Sequence, residues 1–179
     1  MMVYLALLRG INVGGRNKVE MKALKAVFEK AGMSDVRTYI NSGNVIFSSS
    51  ARGKRRLAQV LERAIARHFG FNVDVLVRDL TSMRAVVKAL PKDWKNDQTT
   101  RCYVMFLWDD VARPSVVKQL QIKPEIEDVR YASGALLWRV GQKDVTRSGM
   151  MRVAGMPLYK RMTIRNCNTT RNLLELMEG

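Results

Sequence analysis

The residues best suited to hold an anion follow the first apolar run directly: Arg9-Gly10-Ile11-Asn12-Val13-Gly14-Gly15-Arg16-Asn17-Lys18. Gly10, four residues and Gly15 reproduce the opening of the phosphate-binding pattern GxxxxGK[ST]. The pattern then breaks. Arg16-Asn17 stand where that pattern has the lysine that reaches the phosphates and the hydroxyl that holds magnesium. The segment does not fit GxGxxG either, so the residues argue against a nucleotide hydrolase. They leave a strand-to-helix loop with free backbone N–H groups near a helix N-terminus, with Arg9, Arg16 and Lys18 at hand. That combination can hold an anion. The alternative is that Gly14 and Gly15 only permit a tight loop.

Two further segments share this vocabulary of glycine, asparagine and arginine. Asn41-Ser42-Gly43-Asn44 has a tight-turn composition. Thr163-Ile164-Arg165-Asn166-Cys167-Asn168-Thr169-Thr170 is polar and immediately precedes a helical pattern. Asn168 or Thr169 can cap that helix. Capping needs only one such residue, so Arg165, Asn166 and the remaining amide are left to orient a ligand or to tie the tail down through buried hydrogen bonds.

Other chemistries find little support. His68 is the single histidine, late in a helix beside Phe69, and reads as a helix-end residue rather than the centre of a Ser-His-Asp site. One histidine and two isolated cysteines, Cys102 and Cys167, do not make a zinc site. The cysteines read as ordinary buried thiols of a cytoplasmic protein. Glu125, Glu127 and Asp128 form the densest acidic cluster. No second carboxylate group at a recognisable spacing supports them, and they read as surface residues. No cofactor is implied.

The chain of 179 residues carries 31 basic and 16 acidic side chains, a net charge of +15. The excess is +10 over residues 1–90 and +5 over 91–179. Val36–Leu61 and Val145–Leu174 contain no acid at all. Such a balance favours a phosphorylated small molecule or a nucleic-acid backbone as partner. A solvated basic surface with no partner is the plain alternative. No apolar run reaches the ~20 residues of a membrane span, so no membrane partner is expected.

The elements that must position these residues can be read from periodicity. Val3–Leu8 is continuously apolar, as a strand covered on both faces would be. Met21, Leu24, Val27, Phe28 and Ala31 recur at helical spacing, and Gly32 stops the helix. Asp35–Ile40 and Asn44–Ser48 read as strands. Leu57, Val60, Leu61, Ala64 and Ile65 mark a second helix, Asn72–Arg78 a fourth strand and Leu80–Leu90 a third helix. The order βαββαβ is the ferredoxin-like plan. After a polar connection over 91–100 come a strand at Arg101–Trp108, a short helix at Pro114–Leu120, and a hairpin of Glu127–Ala132 and Ala135–Val140 turning at Ser133-Gly134. A helix over Thr169–Met177 closes the chain. The expected division is 1–95 and 96–179. The expected class is α+β: two ferredoxin-like halves with antiparallel sheets and helices on one face, plus a C-terminal helix.

A basic ferredoxin-like half invites comparison with RNA-recognition modules, whose third strand carries aromatic rings that stack on bases. Here Ser42–Phe47 offers only Phe47, and the first strand is apolar on both faces. Any nucleic-acid contact is therefore expected at backbone phosphates rather than bases.

Three separated segments resemble one known bacterial family. They are Leu7–Gly15, Val36–Val45 (Val-Arg-Thr-Tyr-Ile-Asn-Ser-Gly-Asn-Val) and Thr163–Thr169 (Thr-Ile-Arg-Asn-Cys-Asn-Thr). The family is domain of unknown function 1697. The resemblance implies a cytosolic α+β protein of two ferredoxin-like halves and implies no reaction, cofactor or ligand. Where that family is expected to place an aromatic after Arg-Asn, this chain has Cys167. From the residues, the expected ligand site combines Arg9, Asn12, Gly14, Gly15, Arg16 and Lys18 with Asn41, Ser42 and Asn44, and with Arg165, Asn166 and Asn168. Binding of an anionic, phosphorylated ligand there is the first expectation. An enzyme using Arg9, Arg165 and asparagine amides to stabilise a developing negative charge is the second.

Overall fold

Met2–Leu8 contains no charged residue and forms strand β1, with Tyr4 to Leu8 all buried. In the computed structural model, which describes residues 1–179, β1 lies inside a four-stranded antiparallel sheet of order β2-β3-β1-β4. The partners are β2 (Ser34–Tyr39), β3 (Asn44–Ser49) and β4 (Val75–Asp79). Tyr4 faces Phe47 on β3 and Asp79 on β4. Helices α1 (Met21–Lys30) and α2 (Lys54–Phe69) complete the βαββαβ order, and this strand order is ferredoxin-like.

Pleating decides which side chains meet the helices. Tyr4, Ala6, Leu8, Val45, Phe47, Val75 and Val77 pack with Leu24, Val27 and Phe28 of α1 and with Leu57, Leu61 and Ile65 of α2. Each fully buried side chain of this size stabilises the fold by ~1.5–3 kcal/mol. The alternate residues Leu5, Leu7, Ile46 and Leu76 are buried too, which accounts for the unbroken apolar runs. Helix α1 ends as its periodicity predicts: Met33 N–H reaches back to Phe28 O, and Gly32 N–H to Glu29 O. Helix α3 (Leu80–Ala89) follows β4 at once.

The second sheet repeats the plan. Strands β5 (Thr100–Leu107), β6 (Glu127–Ala132), β7 (Ala135–Gly141) and β8 (Met162–Asn166) form an antiparallel sheet of order β6-β7-β5-β8. Counted from each half's first strand, this is the same permutation as the first sheet. The β6–β7 hairpin turns at Ser133-Gly134 as expected. The crossovers differ. A 3-10 segment, Pro114–Gln119, stands in place of the first helix. Two 3-10 segments flank the four-residue α4 (Met150–Val153) in place of the second. The core here holds Met105, Leu107, Leu136, Trp138, Val116, Val153, Leu158 and Met162. Helix α5 (Cys167–Glu178) ends the chain.

Strand β8 is not foreseen from periodicity, by which Thr163–Thr170 reads as a polar approach to the last helix. Met162-Thr163-Ile164-Arg165 alternates apolar with polar over only four residues, and its polar members Thr163 and Arg165 are buried rather than solvated. Two compact units emerge: Met1–Met83 with Leu173–Gly179, and Arg84–Asn172. The sequence reading divides the chain after residue 95, whereas these units part within α3 and again within α5. No helix is long and apolar enough to cross a membrane.

Candidate anion-binding site

The loop after β1 is a miniature hairpin. Arg16 N–H donates to Val13 O at 3.1 Å, and Asn12 N–H donates to Asn17 O at 3.1 Å. Between them Gly14 and Gly15 have φ of +58° and +74°. Two successive positive φ values define a type I′ turn, which suits glycine best. The glycines are therefore used by a hairpin turn, and five residues separate Gly15 from the first residue of α1. The expected helix-terminus cradle is replaced by an exposed loop.

Asparagine builds this loop from inside. Asn12 Nδ2 donates to Val19 O and to Asn41 O, both at 2.9 Å, while Asn12 Oδ1 accepts from Val19 N–H at 2.8 Å. Asn17 Nδ2 donates to Gly10 O at 3.1 Å. Asn12 and Asn17 both adopt positive φ, which asparagine tolerates better than most residues. Asn12 thus brings the Arg9–Lys18 and Asn41–Asn44 segments together. Leu8 N–H adds a bond to Gly43 O at 2.8 Å, and Arg9 N–H one to Asp74 O at 3.0 Å. Asn44 is fully buried, and its amide donates to Tyr39 O at 3.0 Å and Ser42 Oγ at 2.9 Å.

What these bonds leave uncommitted is a basic tip. Gly14, Gly15, Arg16 and Lys18 are all exposed, as are Asn41 and, strongly, Val13 (69%). No acceptor within the protein takes the N–H groups of Gly14 or Gly15, and neither the Arg16 nor the Lys18 side chain enters an ion pair or hydrogen bond. Arg9 is half-buried.

Arg165, Asn166 and Asn168 belong to the Arg84–Asn172 unit. Arg165 lies on β8 opposite Val104 and is 7% exposed. Its Nη1 donates to Thr163 Oγ1 at 2.9 Å and to Ile164 O at 2.8 Å. Burial draws its guanidinium down to about 10. Asn166, rather than Asn168 or Thr169, caps α5: its Oδ1 accepts from Thr169 N–H at 2.8 Å. Asn168 grips the backbone of Asn96 with both ends of its amide, at 2.9 and 3.2 Å. The tail amides are thus engaged in capping and tying.

Of the remaining candidates, His68 is exposed at the end of α2. Both cysteines are free and buried. The Cys167 thiol donates to Trp94 O at 3.3 Å, and the adjoining Cys167 sulfur together with burial pushes the Cys102 thiol upward. No three His, Cys, Asp or Glu side chains gather to hold a metal. Glu127 corrects the sequence reading, which placed it on the surface. It is 6% exposed and accepts from Lys123 N–H at 2.7 Å, Trp138 Nε1 at 2.9 Å, Gly149 N–H at 3.0 Å and the Ser148 hydroxyl. Burial works to raise its pKa. Those four donors, led by Ser148, outweigh it and hold the carboxyl below the ordinary range. The one sequence signal is its place at the first position of a strand, opposite Val140 in the hairpin and one diagonal step from Trp138.

Among solved structures, a conserved bacterial protein from Streptococcus pneumoniae is similar along the whole chain. It has 29% identity and a TM-score of 0.84, covering 98% of each chain. No curated protein matches. The profile of one family, "Protein of unknown function (DUF1697)", matches residues 1–138, which includes both segments joined by Asn12 and stops short of β8 and α5. With most of its length matched, this chain belongs to the DUF1697 family.

Proposed function

We infer that this protein binds a phosphate-bearing anion through the exposed Val13–Lys18 hairpin and the Asn41–Asn44 segment beside it. The observation that carries this reading is the division of labour in the loop. Asn12, Asn17 and Asn44 spend their amides on the fold, while Arg16, Lys18 and two glycine N–H groups spend nothing. Cationic side chains next to unpaired N–H groups in left-handed backbone make an anion site without any catalytic group. No general base accompanies them, so binding is favoured over catalysis. The excess of +10 over residues 1–90 draws anions toward the same unit.

Titration of the 15N-labelled protein with pyrophosphate tests this reading. The Gly14, Gly15 and Lys18 amides should shift with saturation, and R16A/K18A should remove the response. Equal shifts spread over all basic surfaces, or none at the hairpin, overturn the assignment. A nucleic-acid backbone is the second reading, favoured because the tip is exposed rather than enclosed. A duplex oligonucleotide then binds with an affinity that falls steeply with salt, and R16A/K18A lowers the slope by about two, one for each lost phosphate contact.

A further inference from the structure

The helical layer of the first unit contains an opening that the loop reading does not use. Between α1 and α2 lies a groove of about 420 Å³, lined by Val27, Lys30, Ala31, Val60, Arg63, Ala64, Arg67 and His68. The spacing explains its form. Val60, Arg63, Ala64, Arg67 and His68 recur at i, i+3, i+4, i+7 and i+8, a single stripe along α2. Val27, Lys30 and Ala31 supply the facing edge at the end of α1. The groove stays open because Ala31 and Ala64 stand at its floor, where larger apolar side chains would fill the seam between the helices.

Its chemistry is one-sided. The floor is aliphatic: Val27, Ala31, Val60 and Ala64. The rim carries Lys30, Arg63, Arg67 and His68, and no carboxylate lines it. Lys30, Arg63 and Arg67 form no ion pair. The nearest acids in sequence are turned elsewhere: Glu29 pairs with Lys25 at 3.8 Å, and Glu62 accepts from Val75 N–H at 2.9 Å. An apolar floor beneath unpaired cations is complementary to a molecule with a hydrophobic chain and an acidic head. The volume lies within the ~300–1,000 Å³ range of small-molecule sites.

We propose that the α1–α2 groove is a binding site for a small amphipathic anion, an alkyl or aryl acid. Its chain lies along Val27, Ala31, Val60 and Ala64, and its acidic head meets Arg63, Arg67 and Lys30. This site is separate from the Val13–Lys18 hairpin in both residues and ligand chemistry.

The test is an NMR titration of the 15N-labelled protein with decanoate, with acetate and decanol as head-only and chain-only controls. Decanoate should shift the amides of residues 27–31 and 60–68 to saturation, and neither control should match it. A64L fills the groove and keeps every charge, so it should weaken decanoate at least about tenfold while leaving the melting temperature unchanged or raised. A31L does the same from the other helix and serves if A64L misfolds. R63E/R67E keeps the floor and should also weaken decanoate by about tenfold or more. R16A/K18A should leave decanoate untouched, which separates this site from the hairpin. The proposal is overturned if decanol binds as well as decanoate, or if both groove-filling variants bind normally. It also falls if phosphatidylglycerol vesicles shift these amides while decanoate does not, since the contact would then be a bilayer surface.

Discussion

Glu127→Gln replaces one carboxylate oxygen by an NH2 group at nearly constant volume, in a site where both oxygens are fully used. Oε1 accepts from the Lys123 and Gly149 N–H groups, and Oε2 from Trp138 Nε1 and the Ser148 hydroxyl. If the amide oxygen keeps the two backbone donors, the new NH2 group faces the indole N–H. Ser148 can turn and accept, but Trp138, fully buried, cannot. One stranded donor costs ~1–3 kcal/mol, and the surviving bonds lose their charge assistance, about 1–2 kcal/mol more. Release of a buried charge offsets part of this, leaving a net loss of about 3 kcal/mol. The alternative orientation strands two backbone N–H groups and costs more.

All three tryptophans, Trp94, Trp108 and Trp138, lie in Arg84–Asn172, so urea unfolding followed by tryptophan fluorescence reports that unit. With m near 1.5 kcal/mol per molar, the midpoint should fall by about 2 M at pH 7. The pH dependence has a definite sign. The carboxyl of Glu127 is depressed in the folded state, so its contribution is present above the ordinary glutamate value of ~4.3 and is lost as pH falls through the folded value. The gap between wild type and E127Q should be full at pH 7 and should close only in acid. A midpoint shift under about 0.3 M at pH 7, or an undiminished gap at pH 3, would refute this account of the buried carboxylate. So would additivity of E127Q with S148A, because groups in one network couple.

Other perturbations separate backbone strain from lack of space. Asn12→Ala removes three bonds and leaves the buried Val19 backbone short of a donor and an acceptor. It should cost about 2 kcal/mol by far-UV circular dichroism and speed amide exchange over residues 13–18. Gly15→Ala forces a side chain into positive φ in open space and should cost only ~1–2 kcal/mol. Gly149→Ala has ordinary dihedrals, yet its Cβ would stand 2.0 Å from Gln121 O, so a loss above about 3 kcal/mol is expected in the tryptophan-monitored transition. Asp79→Ala removes the cap of α3, where Oδ1 accepts from Ser82 N–H at 2.7 Å, and the pair with Lys54 at 3.1 Å. The cost is about 1 kcal/mol at neutral pH. Burial opposes ionisation of Asp79, but the Ser82 and Lys54 contacts hold it low, so the effect should vanish as pH falls through the folded value.

The elements legible in the sequence are those whose burial follows a period. Strand β1, helices α1 and α2 and the β6–β7 hairpin have apolar residues at the spacing their faces require; the structure returns β1, α1 and the hairpin within one or two residues and extends α2 to Lys54–Phe69. Strand β8 did not show itself because a strand buried on both faces need not be apolar when its polar groups are paired. Thr163 and Arg165 satisfy each other locally at 2.9 Å. Glu127 was missed for the same reason. A carboxylate beside two other acids looks solvated, and only the third dimension supplies the indole, the hydroxyl and the N–H groups that make its burial tolerable.

Asparagine carries the more general lesson in this chain. The clustering of Asn12, Asn41, Asn44, Asn166 and Asn168 pointed to a ligand because an amide can read polar groups of either sense. It can do the same for the chain's own backbone. Asn12 fastens two loops, Asn44 holds the β2–β3 turn, Asn166 caps α5 and Asn168 clamps Asn96. Each of these bonds secures backbone at a loop, a turn or a helix end. The residues that remain for an outside partner are those the fold does not use. In the hairpin these are Arg16 and Lys18. Between α1 and α2 they are Lys30, Arg63 and Arg67, above two alanines that looked like ordinary helix formers in sequence. Unspent cations, more than conspicuous motifs, are what the two proposed anion sites have in common.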